Sequence, residues 1–138
     1  MTLHIACDIL ETLTQHAEAE FPNECCGILI GRQDPDWSCV KRVVPADNIA
    51  ESDRRRAYQI DWRTLFEVIR SARRGPDEVV GFYHSHPDGT ARPSQRDEAS
   101  AWIDHSYLIL SVQEGRCTGI TSWRTGHQGA SFQQERLS

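Results

Sequence analysis

The 138-residue chain has no C-x-x-C pair, no apolar run long enough to cross a bilayer and no low-complexity tract. Each absence removes a class of function. The five cysteines, Cys7, Cys25, Cys26, Cys39 and Cys117, are odd in number and lack the paired spacing of a disulfide framework or a thiolate zinc site. With no signal-peptide pattern ahead of them, they point to a reducing cytoplasm. Cys25 and Cys26 are adjacent, and adjacent strand residues face opposite sides and cannot readily share a metal, so both read as small core residues. Lysine is nearly missing: Lys41 is the only one among 15 basic residues. The net charge of −5 and the absence of a basic stripe argue against nucleic acid as partner, and the missing apolar run argues against a membrane. Arg54-Arg55-Arg56 is the one basic cluster. It lies in the polar stretch from Asp47 to Arg56 and reads either as a solvated loop face or as a grip on an acidic partner.

What is present fits one domain over residues 1–138, long enough to bury a single core. Residues 8–20 place Ile9, Leu10, Leu13 and Ala17 in helical rhythm, closed by Phe21-Pro22. A strand over about 25–31 follows, then a turn at Gln33 to Asp36 and a hairpin partner over Ser38 to Val44. Tyr58-Gln59-Ile60 reads as a short strand. Asp61 caps a helix running to about Arg73, with Arg73-Arg74-Gly75-Pro76 closing it. Val79-Val80-Gly81-Phe82-Tyr83 reads as a buried strand delivering His84 to its end, and further strands are expected at 106–112, 117–124 and 130–135. This order predicts the α/β class: a mixed β-sheet flanked by helices, neither purely parallel nor an all-β sandwich.

The chemistry is concentrated in His84-Ser85-His86-Pro87, followed by Ser94 and Asp97. Histidines at i and i+2 of an extended segment face the same side, and a carboxylate eleven residues on can fold back as a third ligand. Three ligands leave one position open for water, as in a catalytic rather than a structural zinc site. Each part has a plainer reading. Ser94-x-x-Asp97 is also a capping-box signature, a lone H-x-H pair is more often packed than ligating, and Glu24 alone reads as a surface charge at a strand end. His4, His16, His105 and His127 have no ligand-like spacing and read as surface or capping residues.

Glu24, His84-x-His86-Pro87, the seven residues Pro87 to Pro93 and Ser94-x-x-Asp97 together resemble the signature of the JAMM (MPN+, Mov34/PAD-1) zinc metallopeptidases. Glu24-Cys25-Cys26-Gly27-Ile28-Leu29-Ile30-Gly31 resembles the first core strand of the small prokaryotic members, and the likeness extends to Asn48 and to the strand at 106–112, about residues 3–124 in all. It implies a cytidine-deaminase-like JAMM/MPN core and one Zn²⁺ per chain held by His84, His86 and Asp97. It implies Glu24 as general base and Ser94 as the hydroxyl that shares the charge of the tetrahedral intermediate. The ligand patterns of the cytidine deaminases themselves and of H-E-x-x-H peptidases are absent. The implied reaction is hydrolysis of an amide or isopeptide bond after the C-terminal glycine of a ubiquitin-like protein. With only seven residues between His86 and Ser94 there is no large ubiquitin-gripping insertion, which favours a sulfur-carrier protein of the ThiS/MoaD type as partner. The alternatives are a non-catalytic MPN scaffold and an isopeptidase acting on ubiquitin-like conjugates.

Overall fold

The computed structural model describes residues 1–126 and 131–138. The elements run β1 (Thr2–His4), α1 (Cys7–Glu20), β2 (Cys26–Gln33), β3 (Trp37–Ala46), α2 (Trp62–Ala72), β4 (Glu78–Pro87), α3 (Gln95–Ala99), β5 (Ser106–Gln113), β6 (Arg116–Arg124) and β7 (Gln133–Leu137). This is a mixed α/β fold. β2 pairs antiparallel with β3 and with β4, β4 pairs parallel with β5, and β5, β6 and β7 continue antiparallel.

The strands do not stop at an open sheet flanked by helices: β1 pairs parallel with both β3 and β7 and closes the seven strands into a barrel. Closure went unforeseen because β1 is three residues long, too short to show alternation in sequence. Tyr58-Gln59-Ile60 is not a strand either; it contributes only an isolated bridge from Ile60 to Asn48. The expected strand at 130–135 begins at Gln133; Ala130, like His127, lies outside the described residues.

β2, β4 and β5 read as continuous apolar runs because both of their faces are covered. Leu29, Val80, Tyr83, Leu108 and Leu110 pack on one side with Leu13 and Ala17 of α1. Ile28, Ile30, Phe82 and Tyr107 pack on the other with Val68 of α2. α2 starts as expected, with the Asp61 side chain accepting from the Arg63 amide at 3.0 Å. Gly81 fixes how closely β4 and β5 approach: a β-carbon there would lie 2.0 Å from the Ser106 carbonyl oxygen. β4 is thus held between β2 and β5 by backbone pairing on both sides, with a register shift against β2 between Leu29 and Ile30.

Candidate active site

β4 runs further than its apolar stretch suggested. It includes both histidines and ends at Pro87, with His84 opposite Ile109 and His86 opposite Ser111 of β5. Proline ends the strand without preventing pairing up to it. His84 and His86 therefore share a face, and their Nε2 atoms lie 3.1 Å apart. α3 brings Asp97 to the same point: its Oδ2 is 3.2 Å from the Nε2 of each histidine. His84 is fully buried and Asp97 nearly so.

Asp97 reaches this point through the helix start that the sequence offered as its plainer role. Ser94 caps α3, its Oγ accepting from the Asp97 amide at 3.1 Å while Asp97 Oδ2 accepts from the Ser94 amide at 2.8 Å. The two readings are one arrangement, since the capping box aims the carboxylate oxygen between the imidazoles.

The electrostatics follow from burial and proximity. Burial alone would raise the Asp97 carboxyl, but hydrogen bonds from His84 and His86 hold it well below the usual carboxylate range. Burial lowers the pKa of His84. His86 is raised: burial opposes this, but the hydrogen bonds to Asp97 and to the Thr90 carbonyl, together with the Asp97 and Glu24 charges, outweigh it. Because the Thr90 carbonyl can only accept, His86 Nδ1 donates to it at 2.7 Å, which leaves Nε2 as the nitrogen that would give up its proton and offer a lone pair to a metal. Among the described residues His84 Nδ1 is buried without a hydrogen-bond partner, and Tyr58 stacks on the His84 ring at 4.4 Å. Two imidazole nitrogens and a carboxylate oxygen turned toward one point form a donor set that fits a zinc ion.

Glu24 is buried, and its carboxylate lies within 4.8 Å of the histidine nitrogens. That makes Glu24 a geometrically available third ligand. Asp97 Oδ2, 3.2 Å from both nitrogens, offers a second carboxylate for that position. Burial pushes the Glu24 carboxyl up to about 8, with His86 pulling down, Asp97 adding and Arg96 opposing. A base poised near neutrality is what proton transfer from water requires.

Glu24 is held by its backbone. Its amide donates to the Arg54 carbonyl at 2.8 Å, and its carbonyl accepts from Asn48 Nδ2 at 3.1 Å. Asn48 also donates to the Ala57 carbonyl and accepts from the amides of Ala50 and Gln59, which uses its whole hydrogen-bonding capacity. Ser85, between the histidines but facing away from them, accepts from the Cys25 amide at 2.8 Å. The sequence noted Asn48 only through the family likeness and missed the roles of Tyr58 and Ser85, because an aromatic or a hydroxyl in a short run carries no spacing signal. Asn48→Asp keeps the two acceptor contacts and loses both donors. It is expected to cost about 1–3 kcal/mol in denaturant unfolding, since the Glu24 and Ala57 carbonyls would then face a carboxylate.

A family model described as prokaryotic homologs of the JAB domain matches residues 7–126. The chain belongs to this family. A desampylase from Haloferax volcanii is 35% identical to this JAB chain over 121 residues, 84% of each protein. A probable TtuB-protein conjugate cleaving protease from Thermus thermophilus is 33% identical over 112 residues, 81% of this chain and 72% of that protein. A CysO-cysteine peptidase from Mycobacterium tuberculosis is 28% identical over 123 residues, 88% and 82% of the two chains. A solution structure from Desulfitobacterium hafniense superposes with a TM-score of 0.83 at 28% identity, covering 99% of this chain and 91% of that one. Among the described residues of this JAB chain no helix is long and apolar enough to cross a membrane, and all five cysteines are free.

Proposed function

We propose that residues 1–138 act as one zinc-dependent JAMM/MPN+ metallopeptidase domain with a cytidine-deaminase-like core. Its substrate is a ubiquitin-like protein of the sulfur-carrier type, cleaved at the amide or isopeptide bond after the C-terminal glycine. One observation carries the reading: His84, His86 and Asp97 converge within 3.2 Å of one another beside a buried glutamate, Glu24. The names of the relatives, a desampylase, a TtuB-conjugate protease and a CysO-cysteine peptidase, supply the substrate class. Free cysteines and the acidic charge balance agree with a cytoplasmic setting.

His84, His86 and Asp97 would hold the ion. When bound, zinc supplies a Lewis acid that polarises the scissile carbonyl and lowers the pKa of water. Glu24 accepts the proton of the attacking water and returns it to the leaving amine as the C–N bond breaks. Ser94 lies at the mouth with Glu24 and His86. Its lone pair accepts from the Asp97 amide, which leaves the hydroxyl proton free to donate to the carbonyl oxygen as negative charge develops there.

A carrier protein extended past its terminal Gly-Gly by one cysteine or a short peptide should be trimmed back to the glycine, and ubiquitin chains should be cut poorly. Mass spectrometry of the reaction reads both. Replacing the two glycines by larger residues should slow the cut sharply, because an extended tail at the scissile bond tolerates little bulk. Rapid trimming of unrelated peptides would indicate a general peptidase instead.

A further inference from the structure

At the candidate centre lies an open cleft of about 200 Å³ lined by Glu24, His86, Gly89 and Ser94 together with Arg55 and Arg56. The two arginines differ in state. The Arg55 guanidinium is forked onto Asp53, Nε to Oδ1 and Nη2 to Oδ2 both at 3.1 Å, so its charge is already neutralised. Asp53 also accepts from the Arg55 amide through its side chain and from the Arg56 amide through its carbonyl, fixing the backbone that presents the next residue. Among the described residues the Arg56 side chain makes no hydrogen bond and no ion pair. A chain of net charge −5 thus places at the rim of its candidate site a guanidinium that senses the Asp53 charge from a distance but has no ion pair of its own among the described residues.

The side of the site on which this cleft lies can be argued from proton transfer. The group that returns a proton to the leaving amine must lie beside the leaving nitrogen, so the cleft that Glu24 walls together with His86 and Ser94 receives the departing half of the substrate. A separate, largely apolar groove is lined by Tyr58, Ile60, Leu65, Phe82, Trp102 and Tyr107 and shares Tyr58 with the stack on His84, which suits it to the carrier tail.

We propose that Arg56 is a specificity-determining residue that binds a carboxylate on the leaving group, so that adducts bearing a negative charge just after the scissile glycine are preferred over uncharged ones. Arginine matches a carboxylate through a two-pronged, charge-assisted contact that a neutral amide cannot replace. The carboxylate has two sources: the terminal carboxylate of a single amino acid attached to the carrier, or the side chain of an acidic residue in a longer conjugate. The inference rests on the peptidase reading above.

The test uses the zinc-loaded full chain and a sulfur-carrier protein ending in Gly-Gly followed by one of three groups: alanine with a free carboxylate, alaninamide, or aspartic acid amide. The wild type should favour the free carboxylate over alaninamide by roughly tenfold to a hundredfold in kcat/KM, mostly through KM. In Arg56→Ala that preference should collapse while alaninamide is cut as by the wild type; Arg56→Lys should recover part of it. A rate for the aspartic acid amide matching the free acid would mark any nearby carboxylate as sufficient, and a rate matching alaninamide would assign recognition to the terminal carboxylate. Equal wild-type rates on acid and amide, or a preference surviving in Arg56→Ala, would overturn the proposal while leaving the peptidase reading intact. No cleavage of any of the three would overturn the peptidase reading and the proposal with it.

Discussion

Glu24→Gln should bind zinc as the wild type does and lose nearly all turnover. Glutamine keeps the size and one oxygen but cannot accept the proton of water or deliver it to the leaving amine, and general-base contributions run to about 10²–10⁴ in rate. The three atoms assigned to the metal are untouched, so elemental analysis after dialysis should give the same zinc content. The same change should also strengthen the metal-free fold. The folded-state carboxyl is raised to about 8 from 4.5, so its contribution to stability is fully present below about 4.5 and is lost as pH rises through about 8. Glutamine, which does not ionise, escapes that loss. Chelator-treated Glu24→Gln should therefore resist denaturant better than chelator-treated wild type, by about 1–3 kcal/mol at pH 8, and the gap should shrink toward pH 4.5. A gap independent of pH would show that packing is responsible. Full turnover by the variant would remove Glu24 from the chemistry.

Asp97→Ala should release the metal and weaken the fold at once. One oxygen of Asp97 faces both histidines and also receives the Ser94 amide. Its loss removes the proposed metal ligand, opens half of a capping box worth about 1 kcal/mol and leaves buried His84 without its acceptor. Zinc should be absent after dialysis, and the melting temperature should no longer respond to a chelator. Ser94→Ala separates the two roles, because it breaks the cap but spares the ligand. Zinc should stay, stability should fall by about 1 kcal/mol, and the rate should fall ~10²–10³-fold if the hydroxyl stabilises the developing oxyanion. Wild-type turnover in Ser94→Ala would reduce that hydroxyl to its place at the helix start. Zinc retained in Asp97→Ala would point to Glu24 as the third ligand.

The site was legible in the sequence because its chemistry is local. His84, His86, Ser94 and Asp97 lie within fourteen residues, and period-two geometry and helix capping alone bring them together. Glu24 became legible only through the family likeness, since nothing in a lone glutamate tells where a strand sixty residues later will run. The helices at 7–20 and 62–72 and the runs of β2 and β5 were clear, the former by their rhythm and the latter by continuous apolar stretches. Closure of the barrel was not, because it depends on three residues at the start of the chain meeting β3 and β7. The polar loop hid most. Its hydrogen bonds radiate from Asn48, and a saturated amide looks in sequence like any other loop asparagine.

That loop has two halves of opposite tolerance. Between Ala57 and Gln59 every backbone position is tied to Asn48 or carries the ring stacked on His84, so one inserted residue would shift the stack and loosen the base together. Around Glu51 and Ser52 the side chains are exposed and none of the Asn48 bonds passes through them. Extra chain spliced in there would project into solvent and spare the Asn48 bonds, provided that Arg54 keeps its contacts with the Ala50 carbonyl and the Glu24 amide. The minimal domain thus contains a ready port for grafting larger recognition modules, and the reach of such an enzyme toward bulkier partners can change there without rebuilding its chemistry.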